Sequence, residues 1–152
     1  MVIELGHTKS GDIKIPEGAL PISARAMVFE STGPVRHEVS VPFHDSQVRA
    51  AALLIQTGWD QRWGTEAYWE PGPFLSEDLI FRMVRAGVGL AAVDFPVSGR
   101  SSETRLITTG KVPIVENLRG LAELPRLGFR LKVVPLEAAR DGICAVQALA
   151  EL

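Results

Sequence analysis

Residues 50–56, AAALLIQ, form a near-continuous apolar run. A strand with one wet face alternates apolar and polar residues, whereas an unbroken run of this length suits a strand covered on both faces. The run opens directly into TGWDQRWGTEAYWEPGPFL, which holds all three tryptophans, Trp59, Trp63 and Trp69, and the only tyrosine, Tyr68. Loops leaving the carboxyl edge of an open α/β sheet are where ligands bind, so these rings, with Phe74, form a candidate wall for a small-molecule substrate. They suit an aromatic plug over the core equally well.

Other elements can be read on either side of this stretch. Val2, Ile3 and Leu5 make a short strand stopped by Gly6, and residues 7–18, with His7, Asp12 and Glu17, read as loop. Residues 24–30 are a second strand candidate, closed by Ser31, Thr32, Gly33 and Pro34. Residues 35–43 alternate loosely, with Val39, Val41 and Phe43 on one face, and Pro42 demotes them to an edge or short strand. Ser76 is a good N-cap, with Glu77 and Asp78 in the first turn. Leu79, Ile80, Met83 and Val84 then recur at helical spacing before Gly87, so residues 76–86 should be a helix.

Gly87, Gly89 and Ala92 spell G-x-G-x-x-A, but they follow a helix and open the strand 88–93, the reverse of a dinucleotide-binding turn. Asp94 ends that strand, and the next is expected at 112–116. Leu118, Leu121 and Leu124 suggest a helical turn on the core, closed by Pro125. Residues 129–134 alternate, with Arg130 and Lys132 facing outward, and the tail 143–152 is a last strand or a docked helix.

The order TGW, RWGT, AYW, PFL, then a helix and a strand ending GLAAVD, resembles the cyclase family of metal-dependent hydrolases, whose members include bacterial kynurenine formamidases. VPIVENLRGLAELPRLGFRLKVVPLEA resembles that family's C-terminal half, and the likeness runs from about residue 50 to the C-terminus. It implies a single α/β domain over 1–152, with a mixed β-sheet and few helices. It also implies hydrolysis of small amides or cyclic amides by water activated on a divalent metal, zinc or manganese. Such chemistry needs several ligands and one open position on the metal.

The chain departs from the family where the ligands belong. Glu116 matches the family's C-terminal glutamate, but Thr104, a poor zinc or manganese ligand, stands in the position of its histidine partner. The N-terminal H-x-G-T-H-x-D signature is missing or degenerate. Its nearest string, His7-Thr8-Lys9-Ser10-Gly11-Asp12, leaves His7 and Asp12 as weak metal candidates, while an alternative alignment omits the block altogether. Pro71-Gly72-Pro73 replaces a G-H-P that relatives often carry before the helix. The catalytic residues are therefore unassigned, turnover is expected to be poor, and a non-catalytic small-molecule binder or partner subunit is the alternative. Without its cation, Glu116 is expected to be an orphan buried acid.

Other chemistries find little support. No two of His7, His37 and His44 stand at the i, i+2 or i, i+4 spacing that puts ligands on one face, so they, with Asp12, Asp45 and Asp94, read as solvated loop residues, and Cys144, the single cysteine, lies in the apolar run GICAVQAL as a small buried residue rather than a nucleophile. A net charge of -2 from 16 basic and 18 acidic residues, without a basic stripe, argues against nucleic acid and anionic membrane. No apolar run reaches the ~20 residues of a membrane span, and the lone cysteine fits a reducing compartment, so a cytoplasmic protein is expected. At 152 residues the chain suits one domain. By resemblance it is expected to form homo-oligomers.

Overall fold

A computed structural model describes residues 1–14, 22–31, 37–97, 112–136 and 143–152, with backbone alone for 7–14, 143 and 144. Its strands are β1 Val2–Lys14, β2 Ile22–Glu30, β3 Glu38–Val39, β4 Ala52–Gln56, β5 Phe74–Leu75, β6 Leu90–Val93, β7 Ile114–Val115, β8 Phe129–Pro135 and β9 Ile143–Glu151. Its helices are α1 Asp45–Val48 and α2 Glu77–Ala86. Seven strands close a barrel in the order β1-β7-β6-β4-β2-β8-β9, and β3 pairs with β5 outside it. β2, β4, β6 and β7 run parallel, while β1, β8 and β9 join antiparallel, giving the mixed sheet and few helices of the expected α/β class.

The central apolar run owes its continuity to position. β4 lies between β2 and β6, and successive residues of a strand face opposite ways. Ala52 and Leu54 enter the barrel with Val28, Ala92 and Leu131, while Leu53 and Ile55 meet α2 and the aromatic loop through Leu79, Met83 and Tyr68. β8 has only one dry face, so Phe129, Leu131 and Val133 are buried and Arg130 and Lys132 exposed. Leu118, Leu121 and Leu124 are all buried around a single 3-10 turn, Leu121–Glu123.

α2 carries the expected signals. The Ser76 hydroxyl accepts from Leu79 N, and Gly87 closes the helix at φ 75. Leu79, Ile80, Met83 and Ala86 form its buried face. The tail resolves to a strand, β9. No helix among the described residues is long and apolar enough to cross a membrane.

One N-terminal expectation is corrected. The first strand does not stop at Gly6: β1 continues to Lys14, paired with β9 along its length and with β7 at its end. Gly6, at φ 106, lies within a register shift between Glu4 and His7, the bulge role that glycine takes inside a strand. Cross-strand partners, absent from local pattern, hold this polar segment extended. The 35–43 segment holds the expected short strand, Glu38–Val39, with Val39 and Val41 buried and Phe43 half-buried; residues 32–36 lie outside the described residues.

Candidate functional site

The site lies where β4, β6 and β7 end side by side. Thr57 and Gly58 follow β4, Asp94 follows β6, and Glu116 and Asn117 follow β7. Asp94 is fully buried. Its Oδ2 accepts from the backbone N–H of Thr57 and of Gly58, both at 2.9 Å, and its Oδ1 accepts from Thr57 Oγ1 at 2.6 Å. Gly58 reaches this geometry at φ 86, a conformation that glycine adopts without a Cβ penalty. Asp94 thereby fixes the first turn of the aromatic loop. Burial pushes its carboxyl up to about 6, against the opposing effect of the three donors.

Two more carboxylates tie the loops together. Glu116 Oε2 accepts from Val97 N at 2.7 Å, and Asp60 Oδ2 accepts from Gly120 N at 3.0 Å. The expectation of an orphan Glu116 is corrected by that bond: the acid is buried, and a backbone donor after β6 satisfies one of its oxygens. Tyr68, fully buried, donates from its hydroxyl to Asn117 Oδ1 at 2.6 Å. Burial, with Asp94, Glu116 and Asp60 nearby, raises the phenol far above its usual range, so Tyr68 works as a neutral donor. Asn117 sits at φ 63, in the left-handed region that asparagine enters more readily than most residues.

The predicted wall residues divide into two groups. Trp63, Tyr68 and Trp69 pack mutually, with ring centroids 5.0 to 6.0 Å apart. Tyr68 is enclosed, Trp63 half-buried, and Trp69 55% exposed, which leaves ring surface open at one end. Trp59 stands apart and buried, donating from Nε1 to Tyr68 O, with Arg62 over its face and Gly72 against its edge. Trp59 and Trp69 line a cleft of about 280 Å³ with the 70–73 turn and Pro96. Phe74 is half-buried on β5 and does not line this cleft.

Of the predicted metal positions, Glu116 is at the strand ends, and the backbone brings Asp12 to it. Ile13 pairs with Val115, so Asp12 and Glu116 occupy neighbouring positions on adjacent strands. His7 lies further back on β1, opposite Gln147 of β9. Thr104 lies outside the described residues. His37 meets the Trp59 ring edge-on, and His44 is exposed before α1. Cys144 falls on β9, its side chain outside the described set.

Among the described residues no three His, Cys, Asp or Glu side chains are placed to hold a metal. Asp94, Asp60 and Glu116 each take N–H donors of the protein instead. This donor set does not fit a divalent metal, which asks for several ligand atoms around one point. Sequence reasoning missed the roles of Asp94, Asp60 and Asn117. The available signal was, for Asp94 alone, an acid directly after the buried strand β6; Asp60 and Asn117 carry no comparable local mark.

No family model and no curated protein matches the sequence. Solved structures do match. An isatin hydrolase bound to the product analogue thioisatinate superposes at a TM-score of 0.67 and 16% identity, over 86% of this chain and 60% of that one. Isatin hydrolase A from Ralstonia solanacearum gives 0.67 and 18%, over 84% and 59%. A predicted metal-dependent hydrolase from Bacillus stearothermophilus gives 0.56 and 14%, over 99% and 85%. The chain thus spans about three fifths of the length of the two isatin hydrolases. The fold is the cyclase-type hydrolase fold that the sequence resemblance implied.

Proposed function

We propose that this chain is a cyclase-type, kynurenine formamidase-like hydrolase of small amides or cyclic amides, with turnover impaired. The observation that carries the reading is the meeting, at one end of this fold, of the aromatic loop, through the Tyr68–Asn117 bond, with Glu116 and the backbone position of Asp12. Trp59, Trp63, Tyr68, Trp69 and Phe74 are the substrate-facing set in this reading. The exposed rings stack a planar substrate, and the enclosed ones hold them in place. Glu116, His7 and Asp12 are the positions where such hydrolases need ligands. A bound zinc or manganese would supply activated water, but the described side chains do not fit it.

A second reading, a small-molecule binder without turnover, draws support from the N–H donors that occupy Asp94, Asp60 and Glu116. The two readings separate on protein purified without chelator and assayed with isatin and N-formylkynurenine. Metal well below one equivalent and turnover poor with either substrate are expected. About one equivalent of metal, with activity lost on adding EDTA, would overturn the impairment. Saturable quenching of tryptophan fluorescence by isatin without product would favour the binder.

A further inference from the structure

We propose that Glu70 sets the charge selectivity of the cleft beside Trp59, which admits a neutral planar ligand and turns away an anion. The inference rests on the aromatic loop being a substrate wall, and it adds what that wall discriminates. The cleft, of about 280 Å³, is lined by Trp59, Trp69, Glu70, Pro96 and the turn 71–73. Among the described residues, Glu70 is the one charged group of this lining, which holds no lysine, arginine or histidine.

The local backbone holds this acid on the rim. Glu70 closes the 3-10 turn Glu66–Trp69, donating from its N–H to Ala67 O, and stands extended at φ -74 and ψ 160, the conformation that a following proline enforces. Pro71 and Pro73 fix their own φ. Between them Gly72 comes so near the Trp59 ring that a Cβ would stand 2.5 Å from Cζ2. The rim therefore has little freedom to carry Glu70 away. Its side chain is exposed, and no described residue offers it a cation.

The lining offers little to an entering negative charge. Pro71, Pro73 and Pro96 carry no N–H. Trp59 donates its two N–H groups to Thr57 Oγ1 and Tyr68 O, and Glu70 its own to Ala67 O. Arg62 lies 4.0 Å over the Trp59 ring and does not line the cleft. Across residues 57–74, Asp60, Glu66 and Glu70 outnumber Arg62. An anion would give up its hydration beside a like charge and gain few donors, whereas a neutral ring meets indole and proline surface without that penalty. Water added across the C–N bond of a cyclic amide leaves a carboxylic acid and an amine in one molecule, and the acid ionises at neutral pH. Glu70 thus tolerates the closed ring and repels the opened product.

Equilibrium dialysis of 2-naphthamide against its isostere 2-naphthoate, at low ionic strength, tests the selectivity without turnover. Wild type should hold the amide at least about fivefold more tightly, the scale of two unit charges a few ångströms apart in a water-like medium. Added salt should narrow the difference by screening. Glu70→Gln should reduce it and Glu70→Lys should reverse it, both with wild-type circular dichroism, and 2-naphthamide affinity should stay unchanged. No binding of the amide, equal affinities in wild type, or a preference indifferent to both substitutions would overturn the proposal. Isatin turnover separates the two claims. Metal-dependent turnover alongside a preference indifferent to Glu70 removes this inference and keeps the hydrolase, whereas a Glu70-dependent preference without turnover keeps this inference and removes the hydrolase.

Discussion

Asp94 is a carboxylate with no access to water, kept at the end of β6 by two backbone N–H groups and one hydroxyl. Burial outweighs these donors, and the folded carboxyl is pushed up to about 6 from 3.8. The folded state therefore binds this proton more tightly than the unfolded chain. The associated stability is fully present below the unfolded value and is lost as pH rises through about 6. Asp94→Asn keeps an oxygen for the two N–H donors and removes the charge. Between about pH 4.5 and pH 7.5 the wild type should lose on the order of 2 kcal/mol relative to this variant, read from urea midpoints. A wild type that gains on the variant as pH rises would refute the assignment. Gly72 is a second residue-scale test, because an added Cβ would stand 2.5 Å from Cζ2 of Trp59. Gly72→Ala should cost about 1–3 kcal/mol and shift tryptophan emission, whereas an unchanged denaturation midpoint would show that Trp59 yields freely. The same contact explains why no larger side chain stands between Pro71 and Pro73.

At the scale of elements, α2 was legible because its determinants are local. Ser76, two acids in the first turn, the apolar spacing and Gly87 all lie within one stretch, and each takes its expected role. Ser76→Ala should destabilise the protein by about 1 kcal/mol through loss of the bond to Leu79 N, and a denaturation midpoint equal to wild type would count against the cap. β4 and β8 were legible for a related reason, since unbroken and alternating runs report two dry faces and one. β1 was not. Its inner half is polar, and what keeps it extended is pairing with β9, more than a hundred residues away in sequence. Local pattern records which faces are buried, but not which strand will supply hydrogen bonds to a segment without an apolar face.

For the whole molecule, closure of the barrel leaves Trp69, Phe81 and Leu127 with more than half of their surface exposed. We propose that the chain self-associates through apolar surface beside the aromatic loop, where Trp69 is open. Light scattering should report a mass above that of the 16.5 kDa monomer, falling on dilution, and Trp69→Ser should move the equilibrium toward monomer. A monomer mass over a wide concentration range would dismiss this surface as an interface.

Sequence alone determined the fold class, the buried central strand, the helix after the aromatic loop, and Glu116 at a strand end, because each depends on neighbours a few residues away or on the order of motifs. Only tertiary structure decided that Asp94 anchors Thr57 and Gly58 across 37 and 36 residues, and that Tyr68 reaches Asn117 across 49. It also brought Asp12 level with Glu116 and laid Arg119 over Trp63 with its Nε buried and unbonded. The physical reason is the same throughout. Burial pattern is written in local periodicity, whereas the partner of a buried polar group is chosen by which strand ends the closed sheet brings together.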